Sequence, residues 1–280
     1  MKEDNKPYIF VIGNEKGGAG KTTCSMHLII GLLEQGYKVA SMDTDSRQHS
    51  LTNYLDNRKA YNQKNIEQQV QMPLHFHLGE STEKTVETRE SDDKARFEAA
   101  LAEAKEHADY IVIDTPGSHS FLSKLSHSHA DTIITPINDS FLDLDVMAKV
   151  NGSLNIISPS IYSQMIWEQK MQRASRDCGT IEWIVLRNRL SSLDAVNKRK
   201  VGEVLEQLAK RISFKIAPGF SERVIFRELF LQGLTLLDLT KINYEKNFSI
   251  SHVAARQELR DFLSYLKIKP NKTEALSSSN

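Results

Sequence analysis

The chain has 280 residues and a formal net charge of zero, with 36 basic and 36 acidic side chains. The length suits a single α/β domain, and the balanced charge excludes binding to nucleic acid through a bulk positive field, so any such contact needs a local basic patch. Two cysteines cannot form a disulfide framework, and the absence of a signal-peptide core or of ~18 consecutive apolar residues predicts a cytoplasmic protein without a membrane span.

Apolar runs rich in β-branched residues alternate along the chain with longer amphipathic patterns. In chain order, these runs predict strands at residues 8–13, 38–42, 74–78, 110–114, 131–137, 182–186 and 211–216. Helices are predicted at residues 21–35, 92–107, 195–210 and 253–266. This order predicts βαβ crossovers and therefore an α/β fold, a doubly wound, mostly parallel twisted sheet with helices on both faces. We expect one domain over residues 1–266 and a disordered tail at 267–280.

Two polar segments carry weaker signals. Residues 53–71, rich in Asn and Gln, are predicted to begin at a helix end and to continue as surface. Residues 118–129 contain three histidines, for which a solvated loop or short helix is predicted. His75 and His77 share one face of the possible edge strand at 74–78, and without a nearby cysteine a metal site is the less favoured interpretation.

A glycine-rich turn separates the first strand from the first helix. Its residues are Lys16, Gly17, Gly18, Ala19, Gly20, Lys21, Thr22 and Thr23. Glycines let successive N–H groups point at phosphate oxygens, and the following helix adds the positive end of its dipole. Lys21 can reach the β- and γ-phosphates and the Thr22 hydroxyl can bind Mg²⁺, so the segment predicts ATP·Mg²⁺ binding. Glu15 stands where the common pattern has glycine, and Lys16 is a second lysine.

Carboxylates follow two of the predicted strands. Asp43 and Asp45 come after the second strand, and Asp114 ends the strand at 110–114. Because ligands bind at the carboxyl ends of strands in such sheets, we expect these side chains to converge on the phosphate-binding edge. Asp43 and Asp114 are candidate Mg²⁺ residues, and Gly117 could donate its N–H to the γ-phosphate. Capping of the next helix is the alternative role for Asp43 and Asp45.

These motifs resemble a known family. Residues 14–23 are similar to the deviant Walker A box of the ParA/MinD ATPases, residues 43–45 to their D-x-D switch, and residues 113–117 to their Walker B and second switch. Three further segments resemble the MipZ branch, which positions the cell-division plane: residues 140–147, 185–192 and 217–239. The resemblance covers nearly the whole chain.

The resemblance implies an ATP-dependent homodimer that hydrolyses ATP. In that family the position of Lys16 reaches the nucleotide of the partner subunit, and the position of Asp45 orients the attacking water. Asn188 corresponds to the position that reads adenine, and Pro218 lies in the loop that flanks the base. The implied partners are FtsZ, whose assembly is inhibited, the origin-binding protein ParB, and DNA bound without sequence preference; no residue pattern indicates FtsZ or ParB directly.

A short basic cluster begins the helix predicted at 195–210. Taken alone, Lys198, Arg199 and Lys200 are more typical of a solvated helix face. The resemblance instead favours DNA binding and association with the nucleoid. The helix at 253–266 mixes acidic and basic residues, so it is predicted to pack on the core and not on a membrane. A ParA-type partition ATPase and a metabolic P-loop enzyme, such as a kinase or amide ligase, are the alternatives; the latter needs a second substrate pocket.

Overall fold

A parallel sheet forms the centre of the protein. The computed structural model describes residues 6–79, 81–151, 156–190, 195–242, 250–266 and 268, and no side chains at 195–198. Within them, a seven-stranded sheet has the order β3-β2-β4-β1-β5-β8-β9, and all of its pairings are parallel. Its strands are β1 (Tyr8–Ile12), β2 (Val39–Asp43), β3 (Leu74–His77), β4 (Tyr110–Asp114), β5 (Thr132–Asn138), β8 (Glu182–Asn188) and β9 (Lys215–Ala217). A separate antiparallel pair consists of β6 (Ala148–Val150) and β7 (Ile156–Pro159).

Helices cover both faces of the main sheet. One face packs against α1 (Lys21–Glu34), α2 (Ser50–Lys64), α8 (Ile225–Gln232) and α9 (Ile250–Tyr265). The other packs against α3 (Val86–His107), α4 (Phe121–His129), α6 (Ile161–Asp177) and α7 (Ala195–Ile212). A short helix, α5 (Phe141–Leu144), follows β5. The doubly wound parallel architecture predicted from the alternation of strands and helices is confirmed.

The central strands are apolar on both faces because both faces are covered. In β1, Phe10 and Ile12 belong to the core beneath α1, whereas Ile9 and Val11 belong to the core on the opposite side. All four side chains are at most 5% exposed. Alternate residues of a strand point to opposite faces, so a continuous apolar run is the expected sequence of a strand between two helical layers.

Three predictions about the elements are wrong in part. The polar segment 53–71 contains most of α2, whose Leu51, Tyr54 and Leu55 are buried against the core. Helix α7 continues to Ile212, so the strand predicted at 211–216 is only the three residues of β9. His127 is fully buried and not solvated, because α4 turns it toward Tyr162. The predicted tail at 267–280 lies outside the described residues, apart from residue 268.

The strand order brings the candidate functional residues to one edge. Strand β1 lies between β4 and β5 at the centre, and the phosphate loop follows its carboxyl end. Strands β2 and β4 are neighbours, and Asp43 is paired in register with Asp114. The switch from β4 on one side of β1 to β5 on the other is the kind of position where open α/β sheets bind ligands.

Candidate functional site

The phosphate loop adopts a backbone conformation that requires glycine. Gly18 has φ +72° and Gly20 has φ +91°, both in the left-handed region. At Gly20 a Cβ atom would also lie 2.1 Å from Nδ2 of Asn188, so space as well as conformation excludes a side chain. Gly20 precedes α1 and provides no side-chain cap. The first N–H groups of α1 therefore remain available to an anion, which the helix dipole also favours.

The two lysines of the loop have different surroundings. Lys21 is buried, and its Nζ donates to the main-chain oxygen of Lys16 at 3.2 Å. Burial lowers the pKa of Lys21, against the opposing effect of the Asp114 and Asp45 carboxylates. Lys16 is partly exposed, forms an ion pair with the buried carboxylate of Asp143, and donates to the main-chain oxygen of Leu142 at 3.3 Å. Lys16 is thus held by its own chain at the base of α5.

Asp114 is the most strongly perturbed carboxylate of the site. Its Oδ2 accepts a hydrogen bond from the Thr22 hydroxyl at 2.8 Å, and its Oδ1 accepts one from Ser25 at 3.0 Å. Burial, reinforced by the negative charge of Asp43, raises the pKa of Asp114 to about 7. The hydrogen bonds and Lys21 oppose this rise only in part. A buried carboxylate without a full counter-charge is suited to binding a cation.

Asp43 and Asp45 both accept hydrogen bonds from the segment that joins β2 to the start of α2. Oδ1 of Asp43 accepts from the main-chain N–H of Asp45 at 3.0 Å, and Oδ2 accepts from both N and Oγ1 of Thr52 at 2.9 Å. Asp43 is fully buried. Oδ1 of Asp45 in turn accepts from the main-chain N–H groups of Arg47 and Gln48. Both carboxylates therefore order the turn before α2, as in the capping alternative, and Asp45 also lines the cleft described below.

The segment after β4 lies directly on the phosphate loop. A Cβ atom built on Gly117 would be 3.3 Å from the main-chain N of Gly17 and 3.4 Å from Nζ of Lys21. Glu15, the departure from the common motif, contacts Nδ1 of His119 at 2.7 Å. The unusual residue of the loop therefore links it to the segment that follows Gly117.

A cleft of about 410 Å³ opens between these parts. Its lining combines the phosphate loop, including Thr23, with residues 114–118 and Asp45. Arg47, Gln48, Arg189 and Phe230 also line it, and sequence reasoning did not single them out. For Arg47 and Gln48 a signal was present, since they lie within three residues of Asp45, the last of the switch residues 43–45. Arg189, which has φ +51°, and Phe230 lie in the segments 185–192 and 217–239 that resemble the MipZ branch, but no motif marks either one as a nucleotide-site residue.

A second cavity of about 340 Å³ continues from Gly20 and Thr23. Asn188 lines it and donates through Nδ2 to the main-chain oxygen of Ala19 at 2.9 Å. The lining continues with Arg189, residues 221–223, Phe226 and Phe230. Pro218 is exposed and is not part of this lining, although the loop that follows it is. The arrangement suits a flat ring beside an apolar aromatic wall, with the phosphates extending toward the first cleft.

The donor set fits Mg²⁺ better than a softer metal. Mg²⁺ is usually bound through one or two protein oxygens together with the phosphates of its nucleotide, and Thr22 and Asp114 place a hydroxyl and a carboxylate side by side. Among the described residues, no group of three or more His, Cys, Asp or Glu side chains is arranged to hold a metal. His75 and His77 instead contact Thr52.

The basic cluster lies at the same edge of the sheet as the cleft. Helix α7 follows the carboxyl end of β8, so its first residues are at the edge that carries the phosphate loop. Arg199 and Lys200 are exposed, whereas the side chain of Lys198 lies outside the described residues. In α9, Leu259 and Phe262 are buried in the core beneath α1, as predicted for a docked helix. None of the described helices is both long and apolar enough to cross a membrane.

Comparison with known proteins identifies the relatives of this chain. The family model of the ATPase MipZ matches residues 8–270. The sporulation initiation inhibitor protein Soj of Bacillus subtilis is 23% identical over 181 residues, which cover 57% of this chain and 70% of Soj. Among solved structures, the complex of a Cyanothece McdA variant with ATP has a TM-score of 0.64 at 17% identity, covering 94% of this chain and 98% of McdA.

A further solved structure has a similar fold over almost the whole length of the chain. The septum site-determining protein MinD of Pyrococcus horikoshii, complexed with Mg-ADP, has a TM-score of 0.58 at 16% identity. The match covers 98% of this chain and 100% of MinD. At 16–17% identity the structural matches show only a shared fold. The family is assigned from the family model.

Proposed function

The chain belongs to the MipZ family of ATPases, and on that premise we propose that it is an ATP-dependent switch that positions the division plane. Membership makes it a nucleotide-hydrolysing ATPase related to ParA and MinD. The observation that supports the site most strongly is the convergence of Lys21, Thr22, Asp114 and Gly117 around one cleft. Its shape and charge suit the triphosphate of ATP.

We assign the phosphate loop to ATP and the neighbouring oxygens to Mg²⁺. The main-chain N–H groups of the loop and the ammonium of Lys21 bind the phosphates. Thr22 and Asp114 would hold Mg²⁺, which neutralises phosphate charge when bound, and Asp43, beside Asp114 in register, would act on it through water. Asp45 also lines the cleft and, in this proposal, orients the attacking water. The adenine would lie beside Asn188 and the aromatic wall of the second cavity, followed by the loop after Pro218.

Dimerisation depends on Lys16 in this proposal. Two nucleotide-loaded faces repel each other through their phosphates unless positive charge crosses the interface. Lys16 is partly exposed and lies in the loop itself, which supports a contact with a partner's nucleotide. Because Asp143 of the same chain holds it, the ion pair must open before Lys16 can cross. ATP-driven dimerisation therefore exchanges an intrachain contact for an interchain contact.

DNA binding is assigned to the dimer. Arg199 and Lys200 are exposed at the same edge of the sheet as the cleft, and Lys198 precedes them in the same turn. A neutral chain gains a useful patch when two copies bring their clusters together, because each phosphate contact adds to the affinity. Nucleoid association follows from this binding, while ParB and FtsZ are proposed as partners from family membership alone.

Purified protein added to polymerising FtsZ tests the biological part of the proposal. With ATP·Mg²⁺, wild type should reduce FtsZ assembly measured by light scattering, and Lys21→Ala should not. If FtsZ assembles normally while ATP-dependent DNA retention responds to ParB, the protein is a ParA-type partition ATPase. Slow ATP hydrolysis without any small-molecule acceptor separates both switches from a kinase or ligase.

A further inference from the structure

A chain of hydrogen bonds connects the edge strand to the switch turn. Ser41 and Asp43 on β2 are paired in register with His75 and His77 on β3, so all four residues are brought together on neighbouring strands. Thr52 of α2 contacts both histidines: its Oγ1 lies 3.1 Å from Nε2 of His75 and 3.3 Å from Nδ1 of His77. Thr52, His75 and His77 do not line either of the two cavities described above, so these contacts have no direct part in phosphate binding.

The donors and acceptors can be assigned one by one. The Thr52 hydroxyl must donate to the Asp43 carboxylate at 2.9 Å, because the carboxylate can only accept. The Thr52 oxygen therefore accepts from His75, which requires the tautomer of His75 with its proton on Nε2. Nδ1 of His75 is then free to accept from the buried Ser41 hydroxyl at 2.9 Å. Desolvation lowers the pKa of His75, consistent with a neutral ring.

The series of hydrogen bonds ends at the main-chain N–H of Asp45 in the switch turn. Oδ1 of Asp43 accepts from the main-chain N–H of Asp45 at 3.0 Å, while Oδ2 is held by Thr52. A carboxylate fixed at both oxygens can move little, so the start of the Asp45 turn is fixed with it. Reaction rates depend steeply on the placement of the attacking water, and a displacement of about 1 Å can cost about a hundredfold in rate.

We propose that Thr52 and His75 are positioning residues for ATP hydrolysis, acting on Asp45 through Asp43. The proposal rests on the function proposed for Asp45, the orientation of water. Neither residue touches the nucleotide in this scheme, so their loss should reduce turnover and leave ATP binding intact. Helix α2 and the edge strand β3 thereby become parts of the catalytic machinery, although both lie outside the nucleotide-binding motifs.

Substitution of Thr52 separates the hydroxyl from the shape of the side chain. Thr52→Val keeps the shape and the main-chain bond to Asp43 and removes the hydroxyl. We expect kcat to fall about tenfold, or about 1.4 kcal/mol in activation free energy, with KM for ATP within about twofold of wild type. Thr52→Ser restores the hydroxyl and should restore kcat. Lys59→Ala, at an exposed position farther along α2, is the control and should behave as wild type.

A double-mutant cycle tests the link from His75. His75→Leu should lower kcat as Thr52→Val does, His75→Gln should restore part of it through its Nε2 donor, and the double variant should be no slower than Thr52→Val alone. Additive losses, equal losses in Thr52→Val and Thr52→Ser, or wild-type kcat in Thr52→Val would overturn the proposal. Asp45→Ala is measured in parallel. If it hydrolyses ATP normally, the role of Asp45 itself fails; if it is inactive while Thr52→Val is unaffected, only the positioning role fails.

Discussion

Asp114→Asn should make the nucleotide-free protein more stable at alkaline pH while it abolishes Mg²⁺-dependent ATP binding. The pKa of this carboxyl is raised from 3.8 to about 7 by burial. Each unit of pKa difference corresponds to about 1.4 kcal/mol, so the ionised side chain destabilises the fold by about 4 kcal/mol above pH 7. Asparagine keeps the size of the side chain and removes the charge.

The sign of the pH dependence follows from the protons bound. Between about pH 4 and pH 7 the folded protein keeps the proton of Asp114 and the unfolded chain has lost it, so the free energy of unfolding falls as pH rises. The stabilising contribution is complete below about pH 4 and is lost as pH passes 7. Asp114→Asn has no carboxyl at this position to ionise, so it does not lose this stability as pH rises. The stability difference between variant and wild type should therefore grow by about 2 to 3 kcal/mol between pH 5 and pH 8.

Urea unfolding without nucleotide and with a metal chelator measures this difference directly. Asp145→Asn, at an exposed position near the site, is the control and should show the pH profile of wild type. Addition of ATP·Mg²⁺ at pH 8 should raise the melting temperature of wild type and leave Asp114→Asn unchanged, because ligands stabilise only the states that bind them. A variant that is less stable than wild type at pH 8, or a difference that does not change with pH, would refute the reasoning.

The remaining predictions concern the loop and the basic helix. Lys21→Ala and Thr22→Ala each remove a phosphate or Mg²⁺ contact, so calorimetry should show ATP·Mg²⁺ affinity reduced about tenfold or more, and wild-type affinity in both would contradict the phosphate-loop assignment. Lys16→Ala should bind ATP but remain a monomer in size-exclusion chromatography with ATP; a dimer with wild-type concentration dependence would show that Lys16 does not bridge the interface. Changing Lys198, Arg199 and Lys200 together to Ala should weaken DNA binding and reduce the slope of log K against log salt by roughly 0.9 for each lost phosphate contact, whereas an unchanged slope would indicate a merely solvated helix face.

The parts of the site that are adjacent in sequence could be predicted before the structure. The phosphate loop is one uninterrupted segment, and its required setting, a buried strand before it and an amphipathic helix after it, is visible in the same segment. The approach of Asp114 to Asp43 could also be expected, because parallel strands end at one edge. For these residues local pattern and global fold agree, which is why the sequence was informative.

Other features depend on partners far away in the chain. Helix α2 looks like polar surface, yet Arg58 within it is fully buried because Asp238 holds it by a two-pronged ion pair. Only the folded chain brings these charges together. The contacts of Lys16 with Asp143 and of Glu15 with His119 also join residues over 100 positions apart. No periodicity or motif identifies such pairs in a single sequence.

The central claim is that Asp45 orients the attacking water in an ATP-driven switch, and Asp45→Ala tests it most directly. The measurement combines ATP·Mg²⁺ affinity, single-turnover hydrolysis and sedimentation of the ATP-loaded protein. Loss of a positioning group slows the reaction but leaves ground-state binding nearly intact. We therefore expect near-wild-type ATP affinity, strongly reduced hydrolysis and accumulation of an ATP-bound dimer. Hydrolysis at the wild-type rate, or loss of ATP binding, would contradict the claim and make Asp43 the next candidate.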